Sequence, residues 1–123
     1  MMAVAEVAPL VGVRMDGEDL AMLVQADAGD PVAQDDMGQF FLAAGHRGAA
    51  RYWLEQAALQ GHPNAMQCLG RCYLAGDIVE QNENLAIMWI AKAAAHGHAI
   101  AQAQVQALIG HARANIDGRL EPI

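Results

Sequence analysis

The chain has 123 residues, 54% of them hydrophobic and 17% charged, with a net charge of −7. That size and composition give one domain with a real core and exclude a disordered chain. The absence of any Ser or Thr removes every hydroxyl nucleophile except tyrosine and leaves Asp, Asn and His to start the helices.

The charge is uneven. Residues 1–36 carry eight acids against Arg14 alone, whereas the remainder is balanced. Such a surface is a poor partner for nucleic acid, which needs clustered Lys and Arg. It suits a partner with a basic surface, and it also aids solubility. The apolar run Val7–Val13 falls far short of the ~20 residues that span a bilayer. Glu6 interrupts the apolar N-terminus and the first base follows it, the reverse of a secretory signal. A cytoplasmic protein with no membrane span is expected. One lysine beside six arginines, with abundant Ala and Gly, suits a GC-rich bacterial genome.

In chain order, residues 1–15 form an apolar segment, flexible or packed on the first helix or on a second copy. Residues 16–112 form the domain, and 113–123 a tail with an Asp117-Gly118 turn signal, extended or disordered. Inside the domain a pattern repeats. Trp53, Ala57, Ala58 and Gly61 recur as Trp89, Ala93, Ala94 and Gly97, 36 residues on. A large aromatic, two small residues and a glycine at fixed spacing mark stacked helical units. A degenerate earlier copy ends at Gly29, with Ala21 in the tryptophan place. These are the B helices.

After each glycine a second helix begins: Asp30-Pro31, His62-Pro63 and His98-Ala99. Proline at the first helical position costs no hydrogen bond. The apolar positions Ala33, Met37, Phe40 and Phe41 match Ala65, Leu69, Cys72 and Tyr73, then Ala101, Val105, Leu108 and Ile109. That spacing is one face of an α-helix. These are the A helices. Gly38 and Gly70 sit inside the first two, where an interior glycine costs ~1 kcal/mol against alanine, so a neighbouring helix must cross there closely. Gln106 replaces them in the third, as suits the end of an array. The loop before the third B helix is four residues longer than the loop before the second, turning at Gly76–Val79 with Asn82 as N-cap. The expectation is all-α: six antiparallel helices in the order B–A–B–A–B–A, a solenoid of about two and a half helix pairs.

Ala65, Leu69, Gly70, Tyr73, Gly76 and Val79, followed by Leu85, Ala86, Trp89, Ala93, Ala94 and Gly97, resemble the Sel-one-like repeat, a branch of the tetratricopeptide-like superfamily. Residues 33–61 resemble a second unit with a trimmed loop and Phe41 in the tyrosine place. The resemblance runs from about Asp16 to Ile109. It departs at Ile78, where the family usually has a second glycine, and at Asn82, where it usually has Asp. It implies an α/α solenoid whose A helices line a concave face, and an adaptor, regulator or scaffold rather than an enzyme.

Several constellations have an ordinary explanation. Cys72 aligns with Phe40 and Leu108 as a small core side chain, and Cys68 aligns with Asp36 and Gln104, near the surface. A disulfide within one helical turn is awkward, so two free thiols are expected. The five histidines do not converge, because equivalent residues of stacked repeats stand about 10 Å apart; no metal or other cofactor is expected. Trp53 and Trp89 read as core, so that truncating Trp89 should cost ~3–5 kcal/mol. Asp35 and Asp36 are neighbours on a helix and point about 100° apart, which argues against shared proton transfer.

Removing core positions from the A helices leaves Asp35 and Gln39, aligned with Gln67 and Arg71, and continued through Gln102 and Gln106. These six are expected to face one groove that takes a partner protein or peptide. Two other readings stay open. One is an inhibitory or immunity-type protein that blocks a basic toxin or enzyme with its acidic end. The other is a structural homo-oligomer, a dimer for instance, with Val4–Val13 covering an apolar end of a neighbouring chain.

Overall fold

The computed structural model describes residues 15–120, with side chains as far as Gly110. The expected N-terminal segment, apart from Met15, and residues 121–123 lie outside the described residues. Six α-helices follow in order: α1 Gly17–Asp27, α2 Pro31–Ala43, α3 Arg47–Leu59, α4 Pro63–Ala75, α5 Glu83–Ala95 and α6 Ala99–Leu120. They are the expected B–A–B–A–B–A series, and no strand occurs among the described residues.

Helix starts follow from the missing hydroxyls. Asp16 opens α1 with a capping box: Asp19 N–H donates to Asp16 Oδ1 at 2.8 Å, and Asp16 N–H donates to Asp19 Oδ2 at 3.1 Å. Asp30 accepts from Val32 N–H, and Asn82 from Leu85 N–H. His98 does the same with imidazole, its Nδ1 accepting from Ala101 N–H at 3.1 Å. His46 and His62 occupy N-cap positions but make no side-chain cap.

Each helix packs on the next. The most extensive pairings are α2 with α3 and α4 with α5, with lesser contact between α1 and α2, α3 and α4, and α5 and α6. The core falls into two clusters. Leu23, Met37, Phe41, Ala50 and Trp53 anchor the first, while Leu54, Ala58, Leu69, Cys72 and Ile90 anchor the second. Leu42 and Ile78 pack against both.

Within each pair the crossing point is a glycine. A Cβ on Gly38 would fall 2.6 Å from Leu54 Cγ and 3.1 Å from Leu54 N. One on Gly70 would fall 2.5 Å from Ile90 Cγ1, 3.0 Å from Ala86 O and 3.1 Å from Ile90 N. Leu54 and Ile90 are equivalent, each following the repeat tryptophan. The interior glycines therefore let α2 sit against α3, and α4 against α5, at backbone contact.

Two elements depart from the sequence reading. Helix α6 runs to Leu120, through the Asp117-Gly118 pair expected to turn the chain. Alanines at 99, 101, 103, 107, 112 and 114 carry strong helix propensity, which a single Asp-Gly pair does not outweigh. The 76–82 connection turns as expected, tied by Asn82 N–H to Tyr73 O at 2.9 Å. At its apex, however, Ile78 holds φ +54°. A branched side chain in that region is strained by roughly 1–2 kcal/mol, which explains why a glycine is usual there. Contact with both core clusters offsets the strain.

Gly70→Ala should destabilise the domain by about 1–3 kcal/mol in chemical denaturation. Gly38→Ala should cost less, because a Cβ there meets one close backbone atom, Leu54 N, whereas at Gly70 it meets two, Ala86 O and Ile90 N. Ile78→Gly should be more stable than Ile78→Ala by about 1 kcal/mol, since both lose the packing and only glycine loses the strain.

Candidate functional site

The six groove residues do not share one face. Asp35 and Gln67 are buried, at 4% and 6% exposure, and bind the next repeat. Asp35 Oδ2 accepts from Asn64 Nδ2 at 2.7 Å and lies 3.4 Å from His62 Nε2, while its Oδ1 accepts from Gln39 Nε2 at 3.3 Å. Asn64 Oδ1 in turn meets His98 Nε2 at 3.3 Å. Gln67 Nε2 donates to Gln104 Oε1 at 3.3 Å. These side chains staple α2 to α4 and α4 to α6. A buried carboxylate needs such partners, so Asp35 and Gln67 serve the stacking of the A helices.

Gln102 corrects the register. The repeat period places it with Met66 and Gln34, one position before the Asp35–Gln67 row. Its Nε2 donates to Ala94 O at 3.2 Å, as Gln34 Nε2 donates to Ala26 O at 3.0 Å. Both close the amide onto the preceding B helix. The true counterpart of Asp35 and Gln67 on α6 is Ala103. Gln106 holds the place of Gly38 and Gly70 and is exposed, because no further helix crosses α6 among the described residues. Leu108 and Ile109 are exposed for the same reason.

What remains accessible on the A face is Asp36, the half-buried Gln39, Arg71 and Leu74, with Gln104 at the edge. Partial burial pushes the Asp36 carboxyl above its ordinary value, Asp35 and Asp30 add to the rise, and His62 opposes it. Asp36, Asp30 and Glu18 line a shallow pocket of ≈ 320 Å³ with Met22 and Val32.

Beneath Arg71 lie the two cysteines, both free and both buried. Cys68 is not near the surface as its alignment with Asp36 suggested, being only 2% exposed. Arg71 and Gln39 cover it; Arg71 Nη2 donates to Cys68 Sγ at 3.7 Å. The Cys72 thiol beside it, helped by Gln39 and Arg71 and opposed by burial, lowers Cys68 to about 6. The same pairing, together with burial, raises Cys72. No group of three or more His, Cys, Asp or Glu able to hold a metal occurs among the described residues.

The two tryptophans, equivalent in sequence, differ in place. Trp53 is fully buried, but Trp89 is half-buried beneath Lys92, whose Nζ stands 5.4 Å from the ring centroid. Residues that the sequence reading missed are of two kinds. Gln34 was missed although it recurs in register with Gln102 and was legible from the period alone. Asn64 has Val32 and Ile100 as counterparts, so nothing periodic points to it.

Helix pairs stacked in one direction, crossing on glycine and joined by side-chain staples, define an α/α repeat protein. Residues 47–62 and 63–98 match the family model of the Sel1 repeat, so this part of the chain is built of Sel1 repeats. No curated protein and no solved structure matched it significantly. Sel1 repeats generally mediate protein–protein interaction and are generally non-catalytic. No helix among the described residues is long and apolar enough to cross a membrane.

Asp35→Ala should cost about 1–2 kcal/mol in thermal or chemical unfolding, because it removes the bond from Asn64 that joins α2 to α4 and the bond from Gln39 within α2. Trp89→Ala should cost clearly less than Trp53→Ala, for which about 3–5 kcal/mol is expected. Brief alkylation of the folded protein with iodoacetamide, mapped by mass spectrometry, should label Cys68 ahead of Cys72.

Proposed function

We propose that the chain is a non-catalytic interaction module that receives a partner protein or peptide on the exposed face of α2, α4 and α6. The observation that carries this reading is the set Asp36, Gln39, Arg71 and Leu74. These side chains share the A face and are exposed or half-buried. Two charges of opposite sign, an amide and one apolar side chain make the mixture by which a groove reads an extended peptide or a helix. The rim near α1 adds Glu18 and Asp30, which favours a partner with basic groups at that end. Acid pairs at a rim act mainly on association rate and salt dependence.

The inhibitory reading draws on the same acidic rim and differs in its partner, a basic enzyme or toxin bound one to one. Catalysis has no support from the site. The carboxylates of Asp35 and Asp36 diverge, one into a staple and one to solvent, and the thiols lie under Arg71 without a histidine beside them among their contacts.

The test is affinity capture of a partner with the tagged full chain, followed by titration with variants. Arg71→Glu should weaken the complex at least fivefold and leave the melting temperature within a few degrees. Asp36→Lys should weaken it too, and more at low salt than at high. Unchanged affinity in both variants would remove the A face from consideration.

A further inference from the structure

The two repeat boundaries differ at equivalent positions. At the first, Gln60 Nε2 donates to Gly29 O at 3.0 Å and to Gln34 Oε1 at 2.7 Å. With the Gln34 bond to Ala26 O, this amide clamp spans α1, α2 and α3, and Trp53 is fully buried. At the second boundary the period puts Met66 in place of Gln34 and His96 in place of Gln60. Methionine has no donor. His96 turns Nδ1 onto Lys92 O at 2.8 Å instead. The clamp is not rebuilt, and a notch of ≈ 380 Å³ stays open between Leu59, Gln60, Met66, Trp89, Lys92 and His96.

Charge also differs. Lys92 stands where the first unit has neutral Gln56, and it is the only lysine of the chain. No acid lines the notch. It is lined by the Met66 thioether, Leu59 and the Trp89 indole, with the Gln60 amide, the His96 imidazole and one ammonium, Lys92, beside them. An apolar side chain gains by filling such a slot, and a carboxylate beside that side chain meets Lys92. Elsewhere a chain of net charge −7 repels such a group, and the A face is bordered by acids.

We propose that this notch, formed by α3, α4 and α5, is a second binding site, taking a peptide segment in which an aromatic side chain is flanked by a carboxylate. The aromatic side chain lies between Met66, Leu59 and Trp89. The carboxylate pairs with Lys92 Nζ, which swings from the ring face toward it. The site is independent of the A face and takes the opposite sign of charge.

Trp89 supplies the readout, since Trp53 is out of contact with solvent. The full chain is titrated, by tryptophan emission, with an acetylated and amidated hexapeptide of alternating aspartate and phenylalanine. The same hexapeptide with asparagine for aspartate is the control. The acidic peptide should give a saturable change, and the asparagine peptide should bind about fivefold more weakly, the upper range for an exposed ion pair. Lys92→Gln should bring the two peptides to parity. Leu59→Glu, at an exposed position, should weaken the acidic peptide further without altering the fold. Arg71→Gln should change nothing. Equal affinity of the two peptides for the native chain, full affinity in Lys92→Gln, or no saturable change with either peptide would each overturn the proposal. So would loss of binding in Arg71→Gln alone, which would seat the peptide on the A face.

Discussion

The contact of Gly38 with Leu54 and of Gly70 with Ile90 is the constraint from which the rest of this architecture follows. A helix axis can approach another to the low end of the 8–10 Å range only where one side chain is missing. Once α2 meets α3 and α4 meets α5 at that distance, Ala50, Ala57, Ala86 and Ala93 suffice to fill the seams, and all four are buried. The chain can then build a dense core with few aromatic residues. Packing at that density leaves little room to relax, so backbone atoms such as Ala86 O sit where any added methyl would strike them.

Tight pairs do not by themselves make a stack. The pairs α2–α3 and α4–α5 are joined by weaker contacts, and there the chain uses polar side chains. Asp35, Gln67, Gln34 and Gln102 each reach from an A helix to a neighbouring repeat, and the first three are buried. Each such bond contributes on the order of 1 kcal/mol when made, and leaving one partner buried and alone costs more. The staples therefore fix the relative rotation of the pairs more than they add stability. A polar bond tolerates one register, whereas apolar contact tolerates several.

Periodicity made the fold legible. Trp53 and Trp89, Gly61 and Gly97, and the aligned A-helix positions gave six helices in the correct order, because each repeat must satisfy the same packing twice. The site was less legible for the same reason. Exposed positions are free to vary, and so are the staples: Asn64 has apolar counterparts, and Gln67 and Gln104 meet across a register that no single repeat contains. Polarity of the sequence also misled. Asp35 and Gln67 look like surface residues, but a repeat protein buries polar groups wherever one unit caps the next. The course of α6 to Leu120 was missed because a turn dipeptide was given more weight than the alanine run before it.

Repetition also explains how two equivalent tryptophans acquired different environments. Helix α1 supplies Leu23 to the cluster that holds Trp53. The counterpart of Leu23 in the next pair is Glu55, which is paired with Arg51 on its own helix. Glutamate engaged in that way gives no apolar cover to Trp89. The loss of the amide clamp at Met66 and His96 removes cover from the other side. Two changes at one boundary, both at positions that the glycine crossings do not use, leave the stacking geometry intact while opening its surface. In a solenoid the crossing residues are bound to the repeat and the boundary residues are not. Differences between successive units therefore accumulate at such boundaries, where they alter which surfaces the array presents without altering how it is built.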